Sequence, residues 1–267
     1  MTMGRLTAHL WRQFRHWDRL AKLAFGLAVL LLVPSLLMVI FGPFELRQPA
    51  LIGVIGLVIV AQVIFMWANR TMVTPLTQAQ RLYLDGEFAQ ASDLLEGLRA
   101  ADKADFRALT LLGNTYRQQG MIDHSEAVLL EALDIQPNHH YPLYGFGRTL
   151  LIQGRYREAA DIIERALAAG SPPVVRLDLA EALFHSGQVD AAAQQASDAM
   201  QDGVEPHRQL MGAYLLFRME KGAAPERSWI AAGLAYWQAE ADRFADTPYG
   251  TLLADDVRAM ERLMQEV

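Results

Sequence analysis

FRALTLLGNTYRQQGMIDHSEAVLLEALDIQPNH, residues 106–139, sets the period of most of this chain. Numbered from Phe106, its landmarks Leu109, Leu112, Gly113, Tyr116, Gly120, Leu129, Ala132 and Pro137 fall at positions 4, 7, 8, 11, 15, 24, 27 and 32 of a 34-residue unit. The residue types describe two helices joined by a tight turn. Small side chains at positions 8 and 20, Gly113 and Ser125, let the helices approach, while Leu and Tyr fill the groove between them. Gly120 supplies the turn, where a positive φ costs it little. Pro137 stops the second helix before the next unit begins.

The same frame fits the neighbouring sequence. Turn glycines recur at Gly86, Gly120, Gly154 and Gly187, spaced 34, 34 and 33 residues apart. Small residues keep step at Ala79, Gly113, Gly147 and Ala180, and again at Ala91, Ser125, Ala159 and Ala192. Three landmarks in phase over four units resemble the tetratricopeptide repeat, across roughly residues 72–205. A fifth, degenerate unit is expected over 206–245, with Gly222 near its turn. The resemblance implies an all-α superhelix over 72–245, built of stacked helix pairs. Asp123 and Glu126 have the spacing of a capping box. Thr247-Pro248 offers an N-cap and a proline at N1 for a last helix over Tyr249–Gln265, and 246–267 is expected to cap the stack.

The chain is 52% hydrophobic over 267 residues, too apolar for a repeat domain alone, and the excess lies before residue 70. Leu23–Gly42 and Ala50–Ala68 are runs without a charge, each long enough for a hydrocarbon core of ~30 Å. Pro34 interrupts the first, and Gly42-Pro43 and Pro49 bound a short turn holding Glu45 and Arg47. A transmembrane hairpin over 23–69 fits this pattern better than a cleaved signal peptide, because a second span follows at once. Before it, Met3, Leu6, Leu10, Phe14 and Trp17 form one face of a basic amphipathic segment over 1–22. That segment lies on membrane lipid or docks onto protein. The junction Thr71–Thr77 is too short for a flexible tether. Gly53 and Gly56 give the second span a small-residue face, and Gln62 is its one strongly polar side chain, free to bond to another helix or tolerated alone.

Charge is uneven. Residues 1–22 carry five basic side chains against one acidic, whereas from Arg70 onward 18 basic side chains face 28 acidic ones. The basic flanks place both termini and the repeats in the cytoplasm, on a multi-pass inner (plasma) membrane protein. An acidic repeat domain is unsuited to nucleic acid, which requires a basic stripe. There are no cysteines, the seven histidines are scattered, and no phosphate loop or nucleophile elbow is present. Neither an enzyme nor a cofactor or metal site is expected.

In tetratricopeptide repeats the concave face is lined by positions 2, 5, 9, 12 and 13 of each first helix. Carried over, these give Gln80, Arg107, Thr110, Asn114, Arg117, Tyr141, Tyr144, Arg148 and Glu181. Arg107, Asn114, Arg117 and Arg148 form a net basic strip that resembles in part the carboxylate-binding groove of family members that hold acidic tails. Thr110 stands where those members have lysine. The implied partner is a protein presenting an acidic or C-terminal segment; otherwise the strip consists of ordinary solvated helix residues. Two functions follow: a membrane-anchored adaptor working through its groove, or an accessory subunit held in a membrane complex by its hairpin.

Overall fold

The computed structural model describes residues 19–69, 74–200 and 205–266. Most of the amphipathic segment predicted over 1–22, and the core of the Thr71–Thr77 junction, lie outside the described residues. The chain divides into two compact units, 1–74 and 75–267.

The described part of the first unit is a pair of helices, α1 (Arg19–Phe41) and α2 (Phe44–Asn69), both long and apolar enough to cross a membrane. Apart from Lys22, the covered positions of α1 are Ala21, Phe25, Ala28, Leu32, Ser35 and Val39, and those of α2 include Ala50, Val54, Leu57, Ala61 and Ile64. Both series advance by alternating steps of four and three. That is the seam of a two-helix coiled coil, in which each side chain inserts between residues of the facing helix. The connection is shorter than expected. α2 starts at Phe44, so Glu45 and Arg47 belong to its first turns and Pro49 lies inside it. Arg47 Nε donates to the Gly42 carbonyl at 3.1 Å, closing the end of α1. Pro34 is likewise accommodated within an unbroken α1.

The second unit is a stack of helix pairs in the predicted order: α3 (Pro75–Leu84) with α4 (Phe88–Ala100), α5 (Phe106–Gln118) with α6 (Ile122–Ile135), and α7 (His140–Ile152) with α8 (Tyr156–Ala168). Next come α9 (Arg176–His185) with α10 (Val189–Ala199), then α11 (Pro206–Arg218), α12 (Arg227–Arg243) and α13 (Pro248–Glu266). The small residues do what their positions require. A Cβ on Gly113 would sit 2.5 Å from Leu129 Cγ, and one on Gly147 would sit 2.5 Å from Ile163 Cγ1. Ala79, Ala91, Ala159, Ala180 and Ala192 are fully buried. Ser125, at an alanine position, is also fully buried and shares a 2.9 Å hydrogen bond with Thr149 Oγ1 of the next unit.

Gly86, Gly120, Gly154 and Gly187 all adopt positive φ, between 75° and 85°. The fifth unit keeps this turn, but Gly222 does not make it. Glu220 takes the left-handed conformation at φ 58°, 33 residues after Gly187. The capping box is also corrected: α6 begins at Ile122 with Met121 as its N-cap, so Asp123 sits inside the first turn. There its charge faces the positive end of the helix dipole. Thr247 behaves as predicted, its Oγ1 accepting from Gly250 N–H at 3.0 Å at the start of α13.

The last two helices depart most from expectation. α12 packs against α11, where Trp237 Nε1 donates to the His207 carbonyl at 2.7 Å. Its C-terminal residue, Arg243, donates to Gln118 Oε1 at 2.7 Å, three helix pairs back on α5. α12 therefore crosses the concave face instead of backing α11 on the convex one. α13 returns along the same face: a Cβ on Gly154 would lie 2.9 Å from Pro248 Cβ. Phe244, Tyr249, Leu253, Val257 and Met260 join the core of units three to five. The expected terminal cap is a filling of the groove.

Candidate functional site

The predicted groove residues lie on the first helices of their repeats, where positions separated by three or four residues share a helix face. Their environments fall into two groups. Gln80 and Arg107 are exposed, and Tyr141 and Tyr144 are half-buried. Arg107 also sits over the Phe106 ring, 5.3 Å from its centroid. Thr110, Asn114, Arg117 and Glu181 are buried, so the strip is not a row of solvated side chains. Thr110 Oγ1 donates to the Phe106 carbonyl at 2.6 Å, a contact internal to α5. Arg117 Nη1 donates to Asn114 Oδ1 at 2.7 Å and to the Gly145 carbonyl at 3.3 Å.

Arg148 is engaged from within. Its Nη1 bonds Asp178 of α9, whose other oxygen accepts from Tyr144 OH at 2.7 Å and lies 3.7 Å from Arg208 Nη1 of α11. Asp178 is 3% exposed. Burial opposes its charge, but Arg148 and Arg208 prevail and hold its carboxyl below the usual range. This network ties units three, four and five together. It is structural, and the repeat frame carried no sign of it because Asp178 and Arg208 are outside the concave set.

Glu181 meets α13. It is 4% exposed and hydrogen-bonded to the Tyr249 hydroxyl, and burial, reinforced by Asp178, pushes its carboxyl up to about 8. The bond donated by the buried phenol works the other way, favouring the ionised carboxylate, and burial outweighs it. Further along, Asp256 of α13 accepts from Tyr214 OH at 3.1 Å and pairs with Arg218. Glu240 of α12 pairs with Arg243 beside the same groove. The concave face of units three to five is thus closed by acidic and aromatic side chains of the chain's own last helices, and α12 reaches Gln118 of unit two, while Gln80 and Arg107 stay exposed. No group of acidic or histidine side chains that would hold a metal ion occurs among the described residues.

In the first unit of the structure, Gly53, Gly56 and Gln62 are exposed and lie off the α1–α2 seam. A Cβ on either glycine would meet nothing within 4 Å. The hairpin does not use its small-residue face.

The stack of paired helices with left-handed turns every 33 or 34 residues defines a class, the α-solenoid of helical repeats. Models of the tetratricopeptide repeat match residues 106–139 and 144–203. The chain is a tetratricopeptide-repeat protein. Among solved structures it is similar to one described as "MamA 41-end from Desulfovibrio magneticus RS-1", at 19% identity over 70% of this chain and 93% of that one, with a TM-score of 0.49. It is also similar to a "MamA RS-1 ArsTM double mutant", at 18% identity over 72% of this chain and 96% of that one, with a TM-score of 0.48. A third is TTC0263, a thermophilic TPR protein of Thermus thermophilus, at 21% identity over 64% of this chain and 97% of that one, with a TM-score of 0.48. No curated protein matches the chain.

Proposed function

We propose that the protein is a membrane-anchored scaffold that holds a protein partner on the concave face of its first units, for assembly or regulation of a membrane complex. In this reading α1 and α2 cross the inner membrane, and both termini and the repeats are cytoplasmic. The asymmetry of basic side chains supports that orientation. The observation that carries the reading is the difference between the two halves of the groove. Units three to five are filled by α12 and α13, whereas Gln80 and Arg107, on the first helices of units one and two, are exposed. The charge of Arg107 suits an acidic segment of the partner.

The test is gentle detergent extraction of the full-length protein and mass spectrometry of what accompanies it. Wild type is compared with a Gln80→Glu, Arg107→Glu variant, both positions being exposed and safe for the fold. A stoichiometric partner lost from the variant supports the groove; a partner retained removes it. Orientation is tested with a single cysteine at exposed Ser228, in a chain that has no other. An impermeant thiol reagent should label it only after the inner membrane is opened.

A second reading has its own observation. Gly53, Gly56 and Gln62 face away from the hairpin seam, which leaves them to pack against another membrane helix as an accessory subunit would. Replacing the hairpin with an unrelated one should leave an adaptor functional and disable an accessory subunit.

A further inference from the structure

Four carboxyl groups are buried among the described residues: Asp178 and Glu181 on α9, Glu240 on α12 and Asp256 on α13. Three of them are matched by an arginine: Asp178 by Arg148, Glu240 by Arg243 and Asp256 by Arg218. Glu181 is the exception. No basic side chain among the described residues stands within ion-pair distance of it. What meets it is the hydroxyl of Tyr249, a fully buried phenol in the first turn of α13, which donates to it. A carboxylate buried with one neutral donor and no cation is costly, and such a group keeps its proton instead.

The groups that face Glu181 leave that proton no rival near neutral pH. On the same helix, Arg148 and Arg208 hold the Asp178 carboxyl below its usual range, while burial and Arg218 push the His185 imidazole down to about 4. From α7, Arg148 favours an ionised Glu181, but its guanidinium is engaged by Asp178. From α8, burial pushes the Tyr156 phenol up to about 12. On α13 itself, the Tyr249 phenol is raised well above its ordinary value, and Asp256, bound to Arg218, adds a negative charge. α11 and α12 add Arg208, Tyr214 and Glu240: the first is paired with Asp178, the last with Arg243, and burial raises the phenol between them. Glu181 alone in this cluster, with its carboxyl at about 8, changes charge just above neutrality.

α13 covers this carboxyl and carries Leu253, Val257 and Met260 into the core of the same units. If α13 moves away, water reaches Glu181 and its carboxyl returns to the ordinary range. We infer that α13 is a proton-held latch on the concave face of units three to five: it closes over Glu181 while that carboxyl carries its proton, and yields as the proton leaves, uncovering the surface it fills. The latch does not depend on which partner the protein holds. Its sign follows from linkage. The closed state holds the extra proton, so closure is fully favoured below the ordinary carboxylate range and weakens as pH rises. Opening should become about tenfold more frequent per pH unit until about 8, and level off above it.

Amide hydrogen exchange on the full-length protein in detergent micelles, read by mass spectrometry and corrected for the intrinsic pH dependence of exchange, measures this opening. Amides of α13 should be at least about tenfold less protected than those of α7 and α9, since the latch opens while the repeats stay folded. Between about pH 6 and pH 8 the α13 protection should fall about tenfold per unit. Glu181→Gln keeps an acceptor for Tyr249 without a proton to lose, and its α13 protection should be level with pH. A level profile in wild type, or a slope that survives in Glu181→Gln, overturns the inference. Equal protection of α13 and α9 at every pH also overturns it, because the two helices then unfold together and Glu181 acts on the stack as a whole. Infrared difference spectra of wild type need no variant. They should show a protonated-carboxyl band lost as pH rises from about 6 to about 9; its absence overturns the latch even if Glu181→Gln misfolds.

Discussion

Replacing Arg148 with Ala should destabilise the repeat stack by about 3 kcal/mol, at the lower end of the range for breaking a buried ion pair. Asp178 is 3% exposed, and losing Arg148 would leave its charge with Tyr144 OH at 2.7 Å and the looser Arg208 contact at 3.7 Å. Those survivors keep the cost from the upper end. Arg107→Ala, at an exposed position, should change stability by less than about 0.5 kcal/mol. The double change Arg148→Met, Asp178→Leu should cost less than Arg148→Ala alone, since no charge is then left buried without its partner. The pH dependence should change sign as well. In wild type the depressed carboxyl of Asp178 contributes stability that is present above its unfolded value of 3.8 and lost as pH falls through the folded one. Without Arg148, burial dominates and raises that carboxyl, so acidification should relieve the variant. Urea unfolding of the full-length protein in detergent micelles, followed by far-UV circular dichroism, reads all of this. An Arg148→Ala midpoint equal to that of Arg107→Ala would refute the buried network.

Glu181→Gln should flatten the pH dependence of stability. Its carboxyl is raised to about 8 in the fold, so its contribution is fully present below the ordinary carboxylate range and lost as pH rises through about 8. At pH 7 the amide should be more stable than wild type by up to roughly 3 kcal/mol, measured by the same urea titration; a variant less stable than wild type at pH 8 would contradict a neutral Glu181. Glu220→Gly should stabilise the protein by about 1 kcal/mol, because Glu220 holds φ at 58° where glycine is unstrained. A lower melting temperature for that variant would show that the Glu220 side chain matters more than its backbone.

The period of the repeats was legible because it is enforced by contacts that tolerate few residue types. Gly113 and Gly147 each face a branched side chain at a distance that excludes a Cβ, and the turn glycines hold positive φ. Where the constraint was met by another residue, the reading slipped. Glu220 accepts the strained turn, so a glycine pattern points to Gly222 instead. The hairpin seam was equally present as the alternating steps of Ala21, Phe25, Ala28, Leu32, Ser35 and Val39, but small and polar members hid it inside an apolar run. The filling of the groove was not legible. α12 and α13 have the composition of ordinary amphipathic helices, and a helix pattern says which face is buried without saying against what. Tyr249 and Asp256 gain their roles only from the long-range contacts that bring them to Glu181 and Arg218. Helix position alone puts Arg148 and Glu181 on the first helices without showing that Asp178 and Tyr249 meet them.

The last helices lie in the groove and reach as far as Gln118 of unit two. Because the chain has no cysteine, Gln118→Cys with Arg243→Cys is the direct test: the two native side chains meet at 2.7 Å across 125 residues of sequence. Treatment of the folded full-length protein with a short bis-maleimide should join the two cysteines within one chain, at near-complete yield and with neither single variant giving the product. Efficient single-site labelling without an intramolecular link, in protein whose circular dichroism is that of wild type, would place α12 outside the groove and contradict the account.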